Sequence, residues 1–178
     1  MLHKLFPQLC DHLRATVPAL GTIDLDMAQL DYENQEPIQY PAVYIDLESV
    51  AWKDLGAGIQ TGPALLRFTV AVEVSEESYE GVAGRGLMLD RLKVVQDVHH
   101  ALQHHLGDGY GPLTRSSYRR DRPQHPEAWC LAMGYMTELT DNDGAQAVEL
   151  VSSVVLGVGL GKRPAVVPEP DGYVLPTI

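Results

Sequence analysis

Leu66, Phe68, Val70, Val72 and Val74 alternate with Arg67, Thr69, Ala71 and Glu73, the period of two that places every second side chain on one buried face of a β-strand. Burying such a face contributes about 1.5–3 kcal/mol per side chain before chain entropy is subtracted. A shorter run, Val43, Ile45 and Leu47 against Tyr44 and Asp46, predicts a partner strand, with Pro41 ahead of it where a missing amide costs no ladder bond. Between the two runs, Glu48 to Pro63 holds Gly56, Gly58 and Gly62 and is too long for a tight hairpin. It is expected to form an extended arm or a functional loop, with Trp52 near its base.

The period then changes. Met88, Leu92, Val95, His99, Leu102 and Leu106 recur at steps of three and four, flanked by Leu87, Val94, Val98 and Ala101 and faced by Lys93, Gln96, Asp97, His100, Gln103 and His104. This is an amphipathic helix laid on a sheet, and Gly107 and Gly109 are the residues expected to end it. A second, shorter helix is predicted from Leu2, Leu5, Phe6, Leu9, Leu13 and Val17, with Pro7 in its first turn and with Pro18 and Gly21 stopping it. Ile23, Leu25 and Met27 suggest a brief strand, and the acidic stretch Asp31 to Tyr40 a loop. The glycines Gly81, Gly84 and Gly86 ahead of the long helix follow Glu76, Glu77 and Glu80, which would repel a phosphate, so they read as a turn.

Beyond the long helix, Arg115, Arg119, Arg120 and Arg122 with Tyr118 between them predict a basic strand. Such a strand suits a nucleic-acid backbone, an edge guarded by charge, or an acidic neighbouring subunit. Pro123 to Pro126 make a bend. Leu131, Met133, Tyr135, Thr137 and Leu139 then alternate with Cys130, Ala132, Gly134, Met136 and Glu138, a strand with both faces largely apolar and therefore central or covered. Asp141, Asn142, Asp143 and Gly144 close it as a turn, since Leu139 and Leu150 stand where a calcium loop needs carboxylates. Gln146 to Leu156 could be helix or strand, with Val148, Val151, Val154, Val155 and Val158 favouring strand. Gly157 to Lys162 lacks the spacing and hydroxyl of a phosphate loop, and Pro164, Pro168, Pro170 and Pro176 mark an extended tail. The expected fold is α+β: a mostly antiparallel sheet of about four to five strands packed by the long helix and the short N-terminal one. The expected organisation is a domain over 1–144 and a C-terminal extension or arm, partly extended, over 145–178.

Composition narrows the function. With 178 residues, 45% hydrophobic and 21% charged, the chain can bury a real core and is not a disordered one. Thirteen basic against 24 acidic residues, net charge -11, argue against general nucleic-acid binding. Cys10 and Cys130 lack a C-x-x-C spacing and are expected to be reduced and partly buried. Pro7, Asp11, His12 and Arg14 interrupt any signal-peptide core, and Ala147 to Leu160 is too short to span a bilayer, so an intracellular, soluble protein is expected. His100 and His104, four apart, are weak candidates for a metal pair, without an evident third ligand; His99, on the apolar stripe, reads as a core histidine bonded to a backbone carbonyl. No nucleophile, zinc or paired-carboxylate motif stands out, so no catalytic residue and no cofactor is assigned and a non-enzyme is expected.

The order of a helix, the strand P-A-V-Y-I-D-L, a long loop with Trp52, the strand L-L-R-F-T-V-A-V-E-V, a helix ending A-L-Q-H-H-L, an arginine strand and W-C-L-A-M-G-Y-M-T-E-L-T-D resembles small bacteriophage and prophage tail proteins. These are of the tail-terminator or tail-completion type, related in architecture to the minor tail protein U group. The resemblance spans residues 1 to 143. It implies a structural protomer that assembles into a homo-oligomeric ring, of six subunits, capping the tail tube and joining it to the head. The implied partners are tail-tube and head-completion proteins, with no membrane and with DNA only as passing cargo. The implied location is the virion tail, and the bacterial cytoplasm during assembly. On this reading Trp52, Arg115, Arg119 and Arg120 lie at subunit contacts. The rival readings are a small ligand- or metal-binding domain using the His100/His104 face and a protein contacting nucleic acid through Arg115 to Arg122.

Overall fold

The computed structural model describes residues 1–31, 38–73, 85–121 and 128–145. The chain divides into two compact units, Met1–Gln146 and Ala147–Ile178, and every described residue belongs to the first. The expectations for the glycine-rich stretch 74–84, the bend at 122–127, the greater part of the acidic loop (32–37) and the C-terminal arm from 146 onward lie outside the described residues.

Two helices, α1 (Leu2–Thr16) and α2 (Arg85–Leu102), accompany the strands β1 (Thr22–Leu25), β2 (Ala42–Val50), β3 (Lys53–Gly56), β4 (Ile59–Glu73), β5 (Thr114–Asp121) and β6 (Ala128–Asp141). The strands form one six-stranded sheet in the order β1-β2-β4-β6-β5, with β3 added alongside β4. All neighbours are antiparallel except β1 and β2. The fold class is α+β as expected, with more strands than the sequence suggested.

The extra strand comes from the segment between the first two strand runs. It is not a loop: the chain bends at Ala51 and Trp52, re-enters as β3, and turns back through Gly56, Ala57 and Gly58, all with positive φ, into a β4 of 15 residues. The bend packs tightly, because a Cβ at Gly62 would stand 2.1 Å from the Ala51 carbonyl oxygen. A Cβ at Gly58 would likewise collide with the Gly144 carbonyl, so the hairpin tip lies against the end of β6.

One face of the sheet carries the main core. Leu66, Phe68 and Val70 of β4 and Leu131, Met133 and Tyr135 of β6 meet Leu5, Leu9 and Leu13 of α1 and Val94, Val95, Val98 and Leu102 of α2. On the other face a smaller cluster joins Leu30, Ala42, Tyr44, Ala71 and Cys130. Strand β6 is paired on both sides and, from Cys130 to Tyr135, buried on both faces, which explains the apolar composition of that stretch.

Three details differ from expectation. Helix α2 ends at Leu102, not at Gly107, and His104 is the residue that takes the left-handed exit, with φ 63°. It can do so because the segment after it is held elsewhere: the His104 amide donates to Leu113 and the Leu113 amide to His105. Leu106 is consequently 62% exposed and no part of the helix stripe. Pro7 is the sixth residue of α1, beyond the first turn, on its exposed side, so the amide it lacks leaves the His3 carbonyl facing outward rather than into the core. Met27 lies past β1 and is exposed.

Phe68 is fully buried and meets the Tyr135 ring edge-on, centroids 5.4 Å apart. Phe68→Ala should lower stability by about 3–5 kcal/mol, read as a lower urea midpoint with an unchanged slope. A loss below about 1 kcal/mol would mean that this contact is not the centre of the core.

Candidate functional site

Strand β5 is the outermost strand of the sheet, paired with β6 alone, and its first seven residues are exposed. Cross-strand partners share a face. Arg115, Tyr118 and Arg120, opposite Tyr135, Met133 and Leu131, therefore stand on the helix side, and Ser117, Arg119 and Asp121, opposite Gly134, Ala132 and Cys130, stand on the other. The Arg115 guanidinium lies 5.6 Å from the centroid of Tyr118, a cation–π distance. Among the described residues no ion pair engages Arg119 or Arg120. A bulge at Ser116 interrupts the ladder, and its hydroxyl donates to the Gly134 carbonyl.

Between β5 and α2 runs an open groove of about 710 Å³ walled by Leu92, Val95, His99, Tyr118, Trp129 and Met133. His99 bonds through Nδ1 to the hydroxyl of fully buried Tyr135 at 2.8 Å, a side-chain partner and not the backbone carbonyl expected from the sequence. Burial, then Arg115 and His100, lower its pKa below 6.5. A second histidine arrangement, unforeseen in the sequence, sits where α1 crosses the end of α2. His12 donates from Nε2 to the Ala101 carbonyl at 2.7 Å, one of the carbonyls a helix end leaves unpaired, and stacks on His105 with centroids 3.5 Å apart. Burial, then His12, push the His105 pKa down.

On the β1–β2 side of the sheet, around Arg67 of the central strand β4, stands a cluster of the other sign. The Arg67 guanidinium reaches Asp46 at 2.9 Å, Glu48 at 3.2 Å and Asp26 at 3.5 Å. Asp24 is exposed beside them on β1. Its register opposite Tyr44 puts it on the face of Asp46 and Arg67, the one away from the helices. The sequence signal was there, acidic residues at steps of two on two short strands, but their convergence on Arg67 depends on the parallel β1–β2 pairing. Trp52, 38% exposed at the bend, and Leu55, 58% exposed on β3, continue this side of the sheet. The structure thus does not gather Trp52 with Arg115, Arg119 and Arg120; it places them on opposite sides of the β4–β6 pair.

His100 and His104 do not share a helical face, since α2 stops between them. Among the described residues no three His, Cys, Asp or Glu side chains are placed to hold a metal ion. Cys10 and Cys130 are free, partly and fully buried, with burial raising their thiols to about 11 and about 12. Asp143 is held near 2 by hydrogen bonds from Lys4 and the Met1 amino group. It stands in the turn the sequence predicted, where its amide donates to the Asp141 carboxylate. No described helix is long and apolar enough to cross a membrane.

No protein-family model and no curated protein matches this sequence. Among solved structures, a chain of the virion of a native gene transfer agent particle has a similar backbone, with 12% identity and a TM-score of 0.49 over 75% of this chain and 92% of that one.

His99 and His105 have folded pKa values below 6.5, so the native state takes up protons less readily than the unfolded chain. Their contribution to stability is complete above that value and is lost as pH falls through it. Asp143 acts in a separate window, complete above 3.8 and lost toward 2. The melting temperature should therefore fall between about pH 7.5 and 5.5, and the His99→Gln, His105→Gln variant should show a shallower slope there. Parallel slopes for variant and wild type would contradict this assignment.

Proposed function

We propose that this protein is a structural, non-catalytic subunit of a phage or prophage tail, one that completes or caps the tail tube and joins it to the head as a homo-oligomeric ring. The observation that carries this reading is the placement of two unlike charged surfaces, one exposed and one half-buried, on different sides of one sheet. The arginine strand β5 lies at one edge, and the acidic cluster around Arg67 with the Trp52 bend lies on the β1–β2 side. Unlike patches on different sides are what a head-to-tail contact between successive copies needs, and a head-to-tail contact whose rotation closes makes a ring. The order of elements that resembles tail-terminator proteins points the same way. A net charge of -11 also suits a ring through which DNA passes, because like charge removes the counterion-release gain that would hold DNA on its wall.

In this reading Arg115, Arg119, Arg120 and Trp52 are contact residues, the virion tail is where the protein resides, and tail-tube and head-completion proteins are its further partners. Light scattering coupled to size-exclusion chromatography tests the ring directly. The wild type should elute as a closed oligomer, and the Arg119→Glu, Arg120→Glu variant should shift to monomer while keeping its circular dichroism. A wild type that stays monomeric at every concentration would overturn the reading.

A further inference from the structure

We infer that the basic edge of β5 in one copy docks on the acidic end of the sheet, Asp24, Asp26, Asp46 and Glu48, in the next copy. This deepens the ring reading and rests on it. The two surfaces are complementary in sign. Strand β5 presents Arg115, Arg119 and Arg120 against a single Asp121, whereas Asp26, Asp46 and Glu48 surround one guanidinium, that of Arg67, and Asp24 stands exposed beside them. The cluster therefore retains negative charge after its internal pairing.

The obvious competitor is disfavoured by charge: β5 against β5 of a second copy about a two-fold axis would gather six arginines and two aspartates from Thr114–Asp121 into one contact, and crowded like charges are destabilising. A contact between unlike ends has no such penalty and leaves each copy with one basic and one acidic end still able to propagate. DNA is the other polyanion to weigh. Its binding grows with the number of phosphates neutralised, and three arginines on a chain of net charge -11 supply few contacts within a repulsive field.

The contact is made by side chains and not by adding strand to strand. On the acidic side β1 covers β2 along Ala42–Ile45, and β5 carries a bulge at Ser116, where its register with β6 slips between Arg115 and Ser117. Bulges of this kind disrupt the edge ladder and protect open strands from continuous pairing. They leave the charged side chains outward while the backbone is unsuited to a long intermolecular ladder.

Charge reversal with rescue tests the pairing. The Arg119→Glu, Arg120→Glu variant and the Asp24→Lys, Glu48→Lys variant should each lose the wild-type oligomer in light scattering, and the quadruple variant, whose signs are exchanged, should regain it. If all variants fold by circular dichroism and the wild type is a ring, but the quadruple variant stays monomeric, the assigned partner surface is wrong while the ring reading stands. If the wild type is itself monomeric, both fail. Where a reversal prevents folding, the wild type alone decides: its oligomer should dissociate between about 0.05 M and about 0.5 M salt, and an oligomer indifferent to salt would overturn the proposal. A mobility shift of DNA by wild type that is lost on reversing β5, with no change in oligomer mass, would also overturn it.

Discussion

The ladder between β4 and β6 fixes everything else. It runs unbroken from Gln60 opposite Asp141 to Glu73 opposite Ala128. Because side chains alternate with a period of two, a slip of one residue would turn Leu66, Phe68 and Val70 away from the helices and bring Arg67 and Thr69 into the core. A large apolar loss thus enforces the register. Once it is set, both helices have their floor, β5 has its one neighbour and the β3–β4 hairpin has a β6 end to lie against.

The same ladder produces the asymmetry of the surface. Sheet order sends β1 and β2, with the carboxylates that meet Arg67, to one side of the β4–β6 pair and β5 to the other. Neither side is covered in the same way. The acidic end is partly neutralised by Arg67 from within, whereas Arg119 and Arg120 have no ion-pair partner among the described residues. Open edges that carry charge and bulges resist indiscriminate pairing, so what remains attractive at β5 is selective for opposite charge.

Local periodicity made much of this fold legible. The alternation through Leu66 to Val72, the helical stripe of Leu5, Leu9 and Leu13, and the two-faced apolar run of β6 each depend on neighbours within one element, and each formed where its spacing said. What escaped depends on distant partners. The segment from Glu48 to Pro63 is too long for one tight turn, but a bend at Ala51 against Gly62 splits it into the end of one strand and a separate hairpin. Gly107 looked like the helix exit, yet the pairing of His104 and His105 with Leu113 drew the chain out of the helix a turn earlier, and the His100/His104 spacing lost its meaning with it. His99 was expected in the core; it stands half-buried in the groove wall, and its partner Tyr135 lies 36 residues away in sequence. The acidic cluster escaped for the same reason, since a parallel β1–β2 pairing cannot be read from two runs of four to nine residues.

In the proposed ring, charge at two length scales would let a strongly acidic chain associate with itself. At separations beyond the Debye length, about 8 Å at physiological ionic strength, copies of a chain with net charge -11 gain little from any one patch and repel weakly. Within that length the local pattern governs, and there β5 presents positive charge on both faces of an edge: Arg115 and Arg120 toward the helices, Arg119 away from them. A partner that engages all three must wrap the edge, which a folded surface whose carboxylates come from more than one segment, as Asp24, Asp26, Asp46 and Glu48 do, is better shaped to do. A flat acidic surface meets only one side at a time. The geometry of the arginines, more than their number, is what favours a folded acidic partner over a diffuse one.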